Sequence, residues 1–591
     1  MRENRGAPKN ARRKRRRRKR KTGSLFIFWI IFLIIAGCSG YVAWYLFIPS
    51  NEYQDIHTYY DLPAREILVV LRDLNLDLPA PPVEYEGSVC FPMAFVKEYL
   101  DPYIFWDSTK LKLTVTMPDK VIRLTPGDMN YYENGSPVAV DAPVYLINDG
   151  PYLPAGLLTQ IYHISLDYNL ANRIITLQYL EEDLETAVVT GKNTVLRFFP
   201  DKKSPLSYKF SNNEMVYIFG DDGNYTRVRS GNGLLGYVLT SQIDTREVIP
   251  GTPYEPSVVF PTPPPIDGRV NLLWDQIIRT EDNAADLRRT PREGLDALSP
   301  TWFSFDINLS GDIISLADRD YINWAHEQGY RVWPLLSDFS SDTETVLNQD
   351  ISHSILSDSD KREHAINQIM SFIEMYSLDG INIDFEYIQP DDAASYLQFF
   401  RELSPYMKSA GSVLSVAFYN PDPPGYWSKY YNRAEVGKAA DYVCVMAYDE
   451  YKGDESGPNA AIPFVRNGME LTLEEVSNEK VLLGLPFYTR VWKEENIDGA
   501  LKTSYQTYDM ETACTIFTEH DAVITWDNAY GVSYATYTDE NGAVYKAWLE
   551  DEHSMKEKLD LMNELGLAGV AGWRRGLESD AAWDLIKSYV D

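Results

Sequence analysis

The sequence is poor in the residue types that most often hold small exported domains or metal ions together. Its 591 residues include four cysteines and seven histidines. Beyond Cys38 there are only Cys90, Cys444 and Cys514, too few for a disulfide framework in so long a stretch. The histidines show no ligand spacing. The sequence therefore predicts neither a metal site nor a cofactor.

Basic residues are also scarce outside one segment. The chain has 55 Lys and Arg residues against 86 Asp and Glu residues. Thirteen of the basic residues lie in residues 1–22, so the remainder carries 42 basic and 85 acidic residues, a net charge of −43. A surface of this sign does not bind nucleic acid. It also repels anionic polymers at low ionic strength.

Long hydrophobic runs are absent except at residues 25–48, which carry no formal charge. A run of about 20 apolar residues crosses a bilayer, and its basic flank stays in the cytoplasm. We therefore predict a cytoplasmic tail over residues 1–23, a transmembrane helix over residues 24–48 and an extracellular remainder in the cell membrane. Ile-Ala-Gly-Cys, ending at Cys38, resembles a lipobox, so a lipid anchor there is the alternative.

One octapeptide places acidic side chains where a packed core would have apolar ones. Residues 379–386 read Asp-Gly-Ile-Asn-Ile-Asp-Phe-Glu and follow an amphipathic, helix-like run. Side chains alternate along a strand, so Asn382, Asp384 and Glu386 share one face. The apolar residues between them indicate a buried parallel strand, where carboxylates are costly without partners or a function. A solvated edge strand is the less favoured interpretation.

The octapeptide resembles the Asp-Gly-x-Asp-x-Asp-x-Glu signature of the family 18 glycoside hydrolases, the chitinase-like (β/α)8 barrels. The resemblance implies that Glu386 is the general acid and that Asp384 orients the acetamido group of the substrate. The first Asp of the family's triad is Asn382 here, as in the branch directed at spore cortex and peptidoglycan. This departure therefore shifts the expected substrate rather than excluding activity.

Three further segments resemble the same family, in the order that a barrel requires. Residues 442–449 end in the family's Met-x-Tyr-Asp, and residues 481–488 and 569–573 resemble its seventh and eighth strands. The resemblance implies that Tyr448 donates a hydrogen bond to the acetamido carbonyl. The other residues expected to bind substrate are Asn382, Asp449, Tyr488 and Trp573, whose indole would stack beneath the sugar.

Apolar segments at 271–277, 301–306, 331–337 and 413–420 alternate with helix-like segments and complete a βα repeat. We therefore predict an α/β fold, a (β/α)8 TIM barrel over residues 267–591. Strand-like segments separated by turn residues predict a small α+β insertion at about 492–548. Aromatic residues near strand ends are expected to line the cleft: Trp302, Trp333, Tyr419, Tyr451, Tyr488 and Trp573.

Three smaller segments precede the barrel. Residues 51–186 contain an α+β repeat with a spacing of 62 residues, each unit a short helix and a hairpin, and resemble the copper amine oxidase N-terminal-like domain without offering a copper site. Residues 187–247 resemble a bacterial SH3 domain, a small β-barrel, with Tyr225 where Trp is usual. The alternative, that residues 187–247 only pack against neighbouring parts of the chain without binding a ligand, is equally open. Residues 248–266 hold seven prolines and indicate a semi-rigid linker.

Together these resemblances imply a membrane-anchored, extracellular glycoside hydrolase. Its partner would be an N-acetylated polysaccharide, peptidoglycan or spore cortex ahead of chitin. The family's mechanism is retaining and substrate-assisted, because the acetamido carbonyl replaces a protein nucleophile. Two alternatives stay open: a catalytically silent glycan-binding protein, which the presence of Glu386 disfavours, and a structural protein that tethers the cell wall, which the cleft aromatics disfavour.

Overall fold

The computed structural model describes residues 22–63, 66–256, 259–339, 346–421 and 430–590. Most of the predicted basic tail, residues 1–21, lies outside the described residues. The chain divides into two compact units. One falls within Met1–Val83 and Thr159–Tyr254, and the other within Glu84–Leu158 and Glu255–Asp591.

Short strands dominate the segment before the barrel. The helices are α1 (Thr22–Phe47), α2 (Ile56–Tyr59), α3 (Met93–Tyr99) and α4 (Ala155–Ile161). The strands are β1 (Leu68–Leu71), β2 (Leu74–Leu76), β3 (Val83–Tyr85), β4 (Ser88–Pro92), β5 (Phe105–Asp107), β6 (Lys112–Thr116), β7 (Val121–Leu124), β8 (Asn130–Glu133), β9 (Ser136–Ala139), β10 (Tyr145–Ile147), β11 (Gly150–Pro154), β12 (Ile164–Asn169), β13 (Ile174–Tyr179), β14 (Leu184–Val189), β15 (Val195–Arg197), β16 (Leu206–Lys209), β17 (Met215–Asp222), β18 (Tyr225–Ser230), β19 (Leu235–Leu239) and β20 (Ile243–Ile249).

The transmembrane helix predicted over residues 24–48 corresponds to α1, which contains no charged residue. Among the helices of the described residues, however, none is long and apolar enough to cross a membrane, so the structure does not support that part of the prediction.

The first unit contains two sheets. One has the strand order β12-β13-β1-β2, with β1 parallel to β13. The other has seven strands in the order β16-β15-β19-β18-β17-β14-β20. This second sheet accounts for the turn-rich strands predicted over residues 187–247. The likeness of that segment to an SH3 domain stays a prediction.

The internal repeat is visible in the strand pairing. β4 and β11 pair antiparallel with Phe91 opposite Leu153, the two residues that the repeat aligns. α3 and the hairpin β5–β6 follow β4, and α4 and the hairpin β12–β13 follow β11. The prediction of a short helix followed by a hairpin in each unit is therefore confirmed.

Residues after 269 alternate strands and helices, as the βα repeat predicts. The strands are β21 (Val270–Asp275), β22 (Ala297–Pro300), β23 (Phe303–Phe305), β24 (Ile313–Ser315), β25 (Arg331–Val332), β26 (Leu335–Ser337), β27 (Gly380–Asp384), β28 (Val413–Tyr419), β29 (Tyr442–Met446), β30 (Val481–Pro486), β31 (Tyr488–Ile497), β32 (Ala500–Asp509), β33 (Thr525–Asp527), β34 (Val532–Thr538), β35 (Val544–Leu549) and β36 (Gly569–Trp573). The helices are α5 (Arg319–Glu327), α6 (Asn348–Leu356), α7 (Ser359–Tyr376), α8 (Ala393–Ala410), α9 (Arg433–Ala439), α10 (Ile462–Leu473), α11 (Met510–Glu519), α12 (Glu552–Leu565) and α13 (Asp580–Val590).

Eight parallel strand positions close into a ring, so the barrel is of the TIM type. β21 pairs in parallel with β36 on one side and with β22 on the other. The second and third positions are each split into two short strands, β22 with β23 and β25 with β26. β27, β28, β29 and β30 follow in order and lead back to β36.

Two apolar clusters separate the inside of this ring from its outside. The outer cluster joins the strands to the surrounding helices and includes Ile381, Ile383 and Phe385. The inner cluster includes Trp274 and Cys444. Successive residues of a barrel strand thus alternate between the two clusters.

The insertion is larger than the sequence predicts. A five-stranded antiparallel sheet, in the order β32-β31-β35-β34-β33, is covered by α11. It begins with β31 at Tyr488, directly after the seventh barrel strand, rather than at about residue 492. The hairpin β31–β32 escapes prediction because β32 is exposed along most of its length and shows no apolar alternation.

Within the second unit, one half of the repeat domain packs against the barrel helices. Asp107 at the end of β5 accepts hydrogen bonds from the backbone N–H and the hydroxyl of Ser359, at 3.0 and 2.8 Å. Arg123 of β7 donates to Glu402 of α8 at 3.0 Å. Glu402 also accepts from Arg362 of α7 at 3.0 Å. The sheet β5–β9 is therefore fixed to α7 and α8 by a buried charge network.

Replacing Glu402 by Ala should lower the free energy of unfolding by about 3–5 kcal/mol, because the fully buried guanidinium of Arg362 would lose its counter-charge and Arg123 would keep only its ion pair with Glu363. Urea unfolding followed by circular dichroism measures the effect. The control is Glu495→Ala, which breaks a partly exposed ion pair with Lys493 and should cost less than about 1 kcal/mol. Equal losses in the two variants would contradict the buried network.

Candidate active site

The carboxylates of the octapeptide lie at the end of a central barrel strand. β27 runs between β26 and β28 and ends at Asp384, and Glu386 follows on irregular backbone. Active sites of such barrels are built at these carboxyl ends. The predicted alternation is confirmed, since Ile381 and Ile383 pack in the outer cluster while Asn382 contacts residues of the inner one.

Asn382 is fully buried inside the ring, and both polar atoms of its side chain are bonded. Its Oδ1 accepts a hydrogen bond from Trp274 Nε1 at 3.1 Å. Its Nδ2 donates to Ser415 Oγ at 2.9 Å and lies 3.9 Å from Cys444 Sγ. The amide is thus held from three strands. It leaves no exposed surface for the substrate contact that the sequence suggested.

Asp384 lies two residues after Asn382 on β27, on the same face of the strand. Its Oδ1 is buried without a hydrogen-bond partner among the described residues. Burial raises the pKa of the Asp384 carboxyl well above its usual range, and the charges of Glu386 and Asp338 raise it further. Among the described residues, no group of three or more His, Cys, Asp or Glu side chains is arranged to hold a metal ion.

Glu386 has a neutral donor and two charges around it. Burial raises its pKa, and the carboxylate of Asp449 raises it further. The hydroxyl of Tyr419 donates to Glu386 Oε2 at 2.6 Å and, with the charge of Lys452, lowers that pKa. The effect of burial is the largest, so the pKa of Glu386 is raised overall. A carboxyl that stays protonated closer to neutral pH is what general acid catalysis needs.

Tyr448 and Asp449 follow the end of β29. Asp449 has a left-handed backbone with φ of 65°. Its Oδ1 accepts hydrogen bonds from the hydroxyl of Tyr488 and from the guanidinium of Arg490. The Tyr448 ring lies 6.2 Å from that of Tyr488. Burial raises the pKa of Tyr448 well above its usual range, so its hydroxyl remains a donor.

Trp573 ends β36, the eighth strand position of the ring. Its indole is half-buried and meets that of Trp274 at an angle of 62°, with the ring centroids 6.1 Å apart. The aromatic contact holds one edge of the indole. The exposed part of the ring is available for stacking against a sugar.

Two of the aromatic residues expected in the cleft lie in the core instead. Trp302 is 1% exposed and donates its indole N–H to Asn283 Oδ1 at 2.8 Å. Trp333 is fully buried and stacks on Tyr442, with the centroids 5.6 Å apart. Their prediction as cleft walls is wrong because the second and third strand positions are split, which turns both indoles into the protein interior.

Three residues join the site without having been assigned a role in it. Asp338 directly follows β26, and a polar residue at that point of a predicted barrel strand was the available signal. Tyr419 was expected only as a cleft aromatic, yet it bonds the Glu386 carboxyl. Arg490 lies in β31, whose pairing with β32 the sequence did not reveal.

Comparisons with known proteins match two parts of the chain to known families. The model of the glycosyl hydrolases family 18 matches residues 348–578, and that of the copper amine oxidase N-terminal domain matches residues 71–177. The chain is 26% identical to the uncharacterized glycosylase YvbX of Bacillus subtilis over 297 residues, 50% of this chain and 84% of that protein. It is 24% identical to the cortical fragment-lytic enzyme of Bacillus subtilis over 288 residues, 48% of this chain and 66% of that protein.

A solved structure shows the same fold. The Bacillus cereus spore cortex-lytic enzyme SleL is similar with a TM-score of 0.50 and 18% identity, over 65% of this chain and 90% of that one. The family 18 model covers the barrel from α6 onward, and the octapeptide, with Asp384 and Glu386 at its carboxyl end, lies inside it, while the second model covers most of the repeat. The protein is therefore a glycoside hydrolase with a family 18 domain, preceded by a copper amine oxidase N-terminal-like domain.

Proposed function

We propose that this protein cleaves an N-acetylglucosamine-containing polymer by retaining, substrate-assisted hydrolysis, with peptidoglycan or spore cortex as substrate ahead of chitin. The observation that carries the proposal is the pair of Asp384 and Glu386 at the carboxyl end of β27, both with pKa values raised by burial. The names of the cortical fragment-lytic relatives favour the cortex and peptidoglycan.

Glu386 supplies the proton in the first step. Its protonated carboxyl gives a proton to the glycosidic oxygen, and the bond from that oxygen to the anomeric carbon breaks. The carbonyl oxygen of the substrate's acetamido group forms the new bond to the anomeric carbon, so no protein nucleophile is needed. In the second step, ionised Glu386 takes a proton from a water molecule while the water oxygen bonds to the anomeric carbon. The bond from that carbon to the acetamido oxygen breaks, and the configuration of the anomeric carbon is retained.

Asp384 has the position and the free acceptor needed to hold the acetamido group. Its buried, unpartnered Oδ1 can accept the acetamido N–H. When ionised, it also offsets the positive charge of the cyclic intermediate. Its raised pKa means that this ionised form is disfavoured in the empty site. An N–H donor and a positive charge from the substrate would both favour it.

Three of the remaining predicted residues would contact the same sugar. Tyr448 would donate its hydroxyl to the acetamido carbonyl. Asp449 would contact the sugar hydroxyls while Arg490 and Tyr488 hold its carboxylate in place. Trp573 would stack beneath the ring. These roles follow from the family resemblance together with the positions of the residues at the carboxyl ends of β29 and β36.

The second candidate is a catalytically silent glycan-binding protein on the same barrel. Retention of Glu386, with burial raising its pKa, favours the enzyme. Incubation of the protein with purified peptidoglycan, spore cortex and chitin separates the two, with mass spectrometry of the released ends as the measurement. We expect new N-acetylglucosamine reducing ends from peptidoglycan or cortex. Tight binding to all three polymers without new ends would contradict hydrolysis and favour the silent protein.

Replacing Tyr419 by Phe should move the alkaline limb of the kcat/KM profile to higher pH by about one unit, equivalent to ~1.4 kcal/mol. The Tyr419 hydroxyl stabilises ionised Glu386, so its removal raises the pKa of the acid and keeps the acid protonated to higher pH. The control Tyr330→Phe removes a hydroxyl bonded to the Arg292 backbone, away from the acid. If the alkaline limb of Tyr419→Phe matched that of the wild type, the Tyr419 hydroxyl would not affect the pKa of Glu386.

The proposal includes the location that the sequence predicts: a single-pass membrane protein with a cytoplasmic N-terminus and an extracellular barrel. Its support is confined to the sequence, namely the thirteen basic residues in 1–22 and the uncharged run at 25–48. Protease added to intact cells stripped of their wall should digest the barrel and spare an epitope tag on the tail. A protected barrel would contradict this topology, and a lipid-modified fragment beginning at Cys38 would indicate the lipid anchor.

A further inference from the structure

Asp338 is a buried carboxyl beside residues 385–389, the loop that follows β27 and contains Glu386. It directly follows β26 and is 1% exposed. No ion pair with Asp338 is present among the described residues. A buried carboxylate without a counter-ion is costly, and an apolar residue at this position would be cheaper if it only filled space. Its contacts therefore indicate what it does.

The carboxylate bonds the backbone that carries the acid. Oδ1 accepts the N–H of Glu386 at 2.9 Å, and Oδ2 accepts the N–H of Tyr387 at 3.0 Å. The hydroxyl of Ser352 in α6 donates to the same Oδ2 at 2.6 Å. Two consecutive N–H groups are thus held by the two oxygens of one side chain.

These N–H groups have no strand partner. β27 ends at Asp384, and residues 385–389 are irregular. Buried backbone N–H groups need an acceptor, and here a side chain supplies it. An ionised carboxylate is an acceptor at both oxygens, whereas a protonated carboxyl carries an O–H donor on one of them. An Asn at this position would bond one N–H and turn its own amide hydrogens toward the other.

We propose that Asp338 is a positioning residue, whose carboxylate clamps the backbone N–H groups of Glu386 and Tyr387 and so fixes where the acid stands relative to Asp384. This inference rests on the proposed function of Glu386. The clamp joins β26, α6 and the loop after β27 at a single side chain.

The groups that face Asp338 leave its charge uncompensated. Burial raises its pKa to about 7, and the bonds from Ser352 and the two N–H groups oppose that shift. Among the described residues, the titratable groups whose charge acts on Asp338 or responds to it are acidic or phenolic. They are Asp384, Glu386, Tyr387, Tyr396 of α8 and Tyr431. The clamp is therefore strongest above neutral pH and weakens as the carboxyl is protonated.

The test compares Asp338→Asn with Asp392→Asn in the full chain. Asp392 is equally buried, and its carboxylate bonds His353. Its bond to the segment after β27 runs from its own backbone N–H to the Gln389 carbonyl, which the substitution leaves in place. We expect Asp338→Asn to lower kcat about 10–100-fold, as a displaced catalytic group does. KM should change by less than about threefold, because the wild-type protein and Asp338→Asn should bind the ground-state substrate equally well. The pH profile should also move to lower pH, since the charge that raises the pKa of Asp384 is gone.

A second measurement does not depend on turnover. Hydrogen exchange at the amides of Glu386 and Tyr387, read by mass spectrometry of the peptide that contains them, should quicken at least about tenfold in Asp338→Asn and stay unchanged in Asp392→Asn. If the wild-type protein hydrolyses nothing, the proposed function fails while this measurement still decides the clamp. Exchange and kcat that match the control would overturn the inference.

Ser352→Ala provides a milder variant if Asp338→Asn does not fold. The Ser352 hydroxyl lowers the pKa of Asp338, so its loss raises that pKa. After correction for intrinsic exchange, the exchange of the two amides should quicken below a midpoint pH. In Ser352→Ala this midpoint should move to higher pH. An unmoved midpoint would overturn the clamp.

Discussion

Replacing Glu386 by Gln should lower the rate of polymer hydrolysis by about 10²–10⁴-fold, the usual contribution of a general acid. The amide cannot donate a proton to the leaving oxygen. The fold should survive, because burial already disfavours the ionised carboxyl at this position and Gln keeps an oxygen for the Tyr419 hydroxyl. Reducing-end release measures the rate, and calorimetric binding of an N-acetylglucosamine oligomer should be unchanged.

The matched control is Glu495→Gln on the insertion hairpin, which removes a partly exposed carboxylate paired with Lys493. It should keep the full rate. A Glu386→Gln variant that retained more than about a tenth of the wild-type rate would place the acid elsewhere.

Replacing Asp384 by Asn should cost at least about 10²-fold in kcat, the scale of a lost electrostatic contact to a charged intermediate. The variant removes the ionisable side chain of β27, the one proposed to hold the acetamido group. Its neutral amide also turns hydrogens toward the substrate N–H. A substrate trimmed to the minimal disaccharide would give kcat and KM separately, and the loss should fall on kcat.

The neighbouring variant Asn382→Asp should be far milder. A carboxylate there can still accept from Trp274 and, after rotation of the hydroxyl, from Ser415. Added negative charge raises the pKa of Asp384, so the acidic limb of the rate profile should move to higher pH. The maximal rate should change by less than about tenfold, or ~1.4 kcal/mol.

The two variants together decide between the candidate functions. If Asn382→Asp turned an undetectable activity into a strong one, the natural protein would be the silent glycan-binding form. If both variants were equally inactive, the roles of Asp384 and Asn382 would be wrong.

The ring of strands was predictable because its signals are local. Each barrel strand is an apolar run bounded by helix-like segments, and the alternation in β27 assigns Ile381, Ile383 and Asn382 to their observed sides. The repeat before the barrel was predictable from the similarity of its two halves at a spacing of 62 residues, and the aligned residues Phe91 and Leu153 pair in the structure.

The contacts that tune the site were not predictable, because they join distant parts of the chain. Asn382 meets Trp274 across 108 positions, and Glu386 meets Tyr419 across 33. A sequence pattern gives the face of a strand but not its partner on the next strand. For the same reason the pattern could not show that Trp302 and Trp333 turn into the core, or that Asp338 reaches the backbone of Glu386.

The most direct test of the account uses one peptidoglycan preparation in three forms: native, chemically de-N-acetylated, and re-acetylated. Substrate-assisted hydrolysis needs the acetamido carbonyl as nucleophile, so the protein should release reducing ends from the native polymer, release about 10²-fold fewer or none from the de-N-acetylated polymer, and recover its rate after re-acetylation. Equal release from the native and the de-N-acetylated polymer would contradict the account, because the nucleophile would then have to come from the protein or from water.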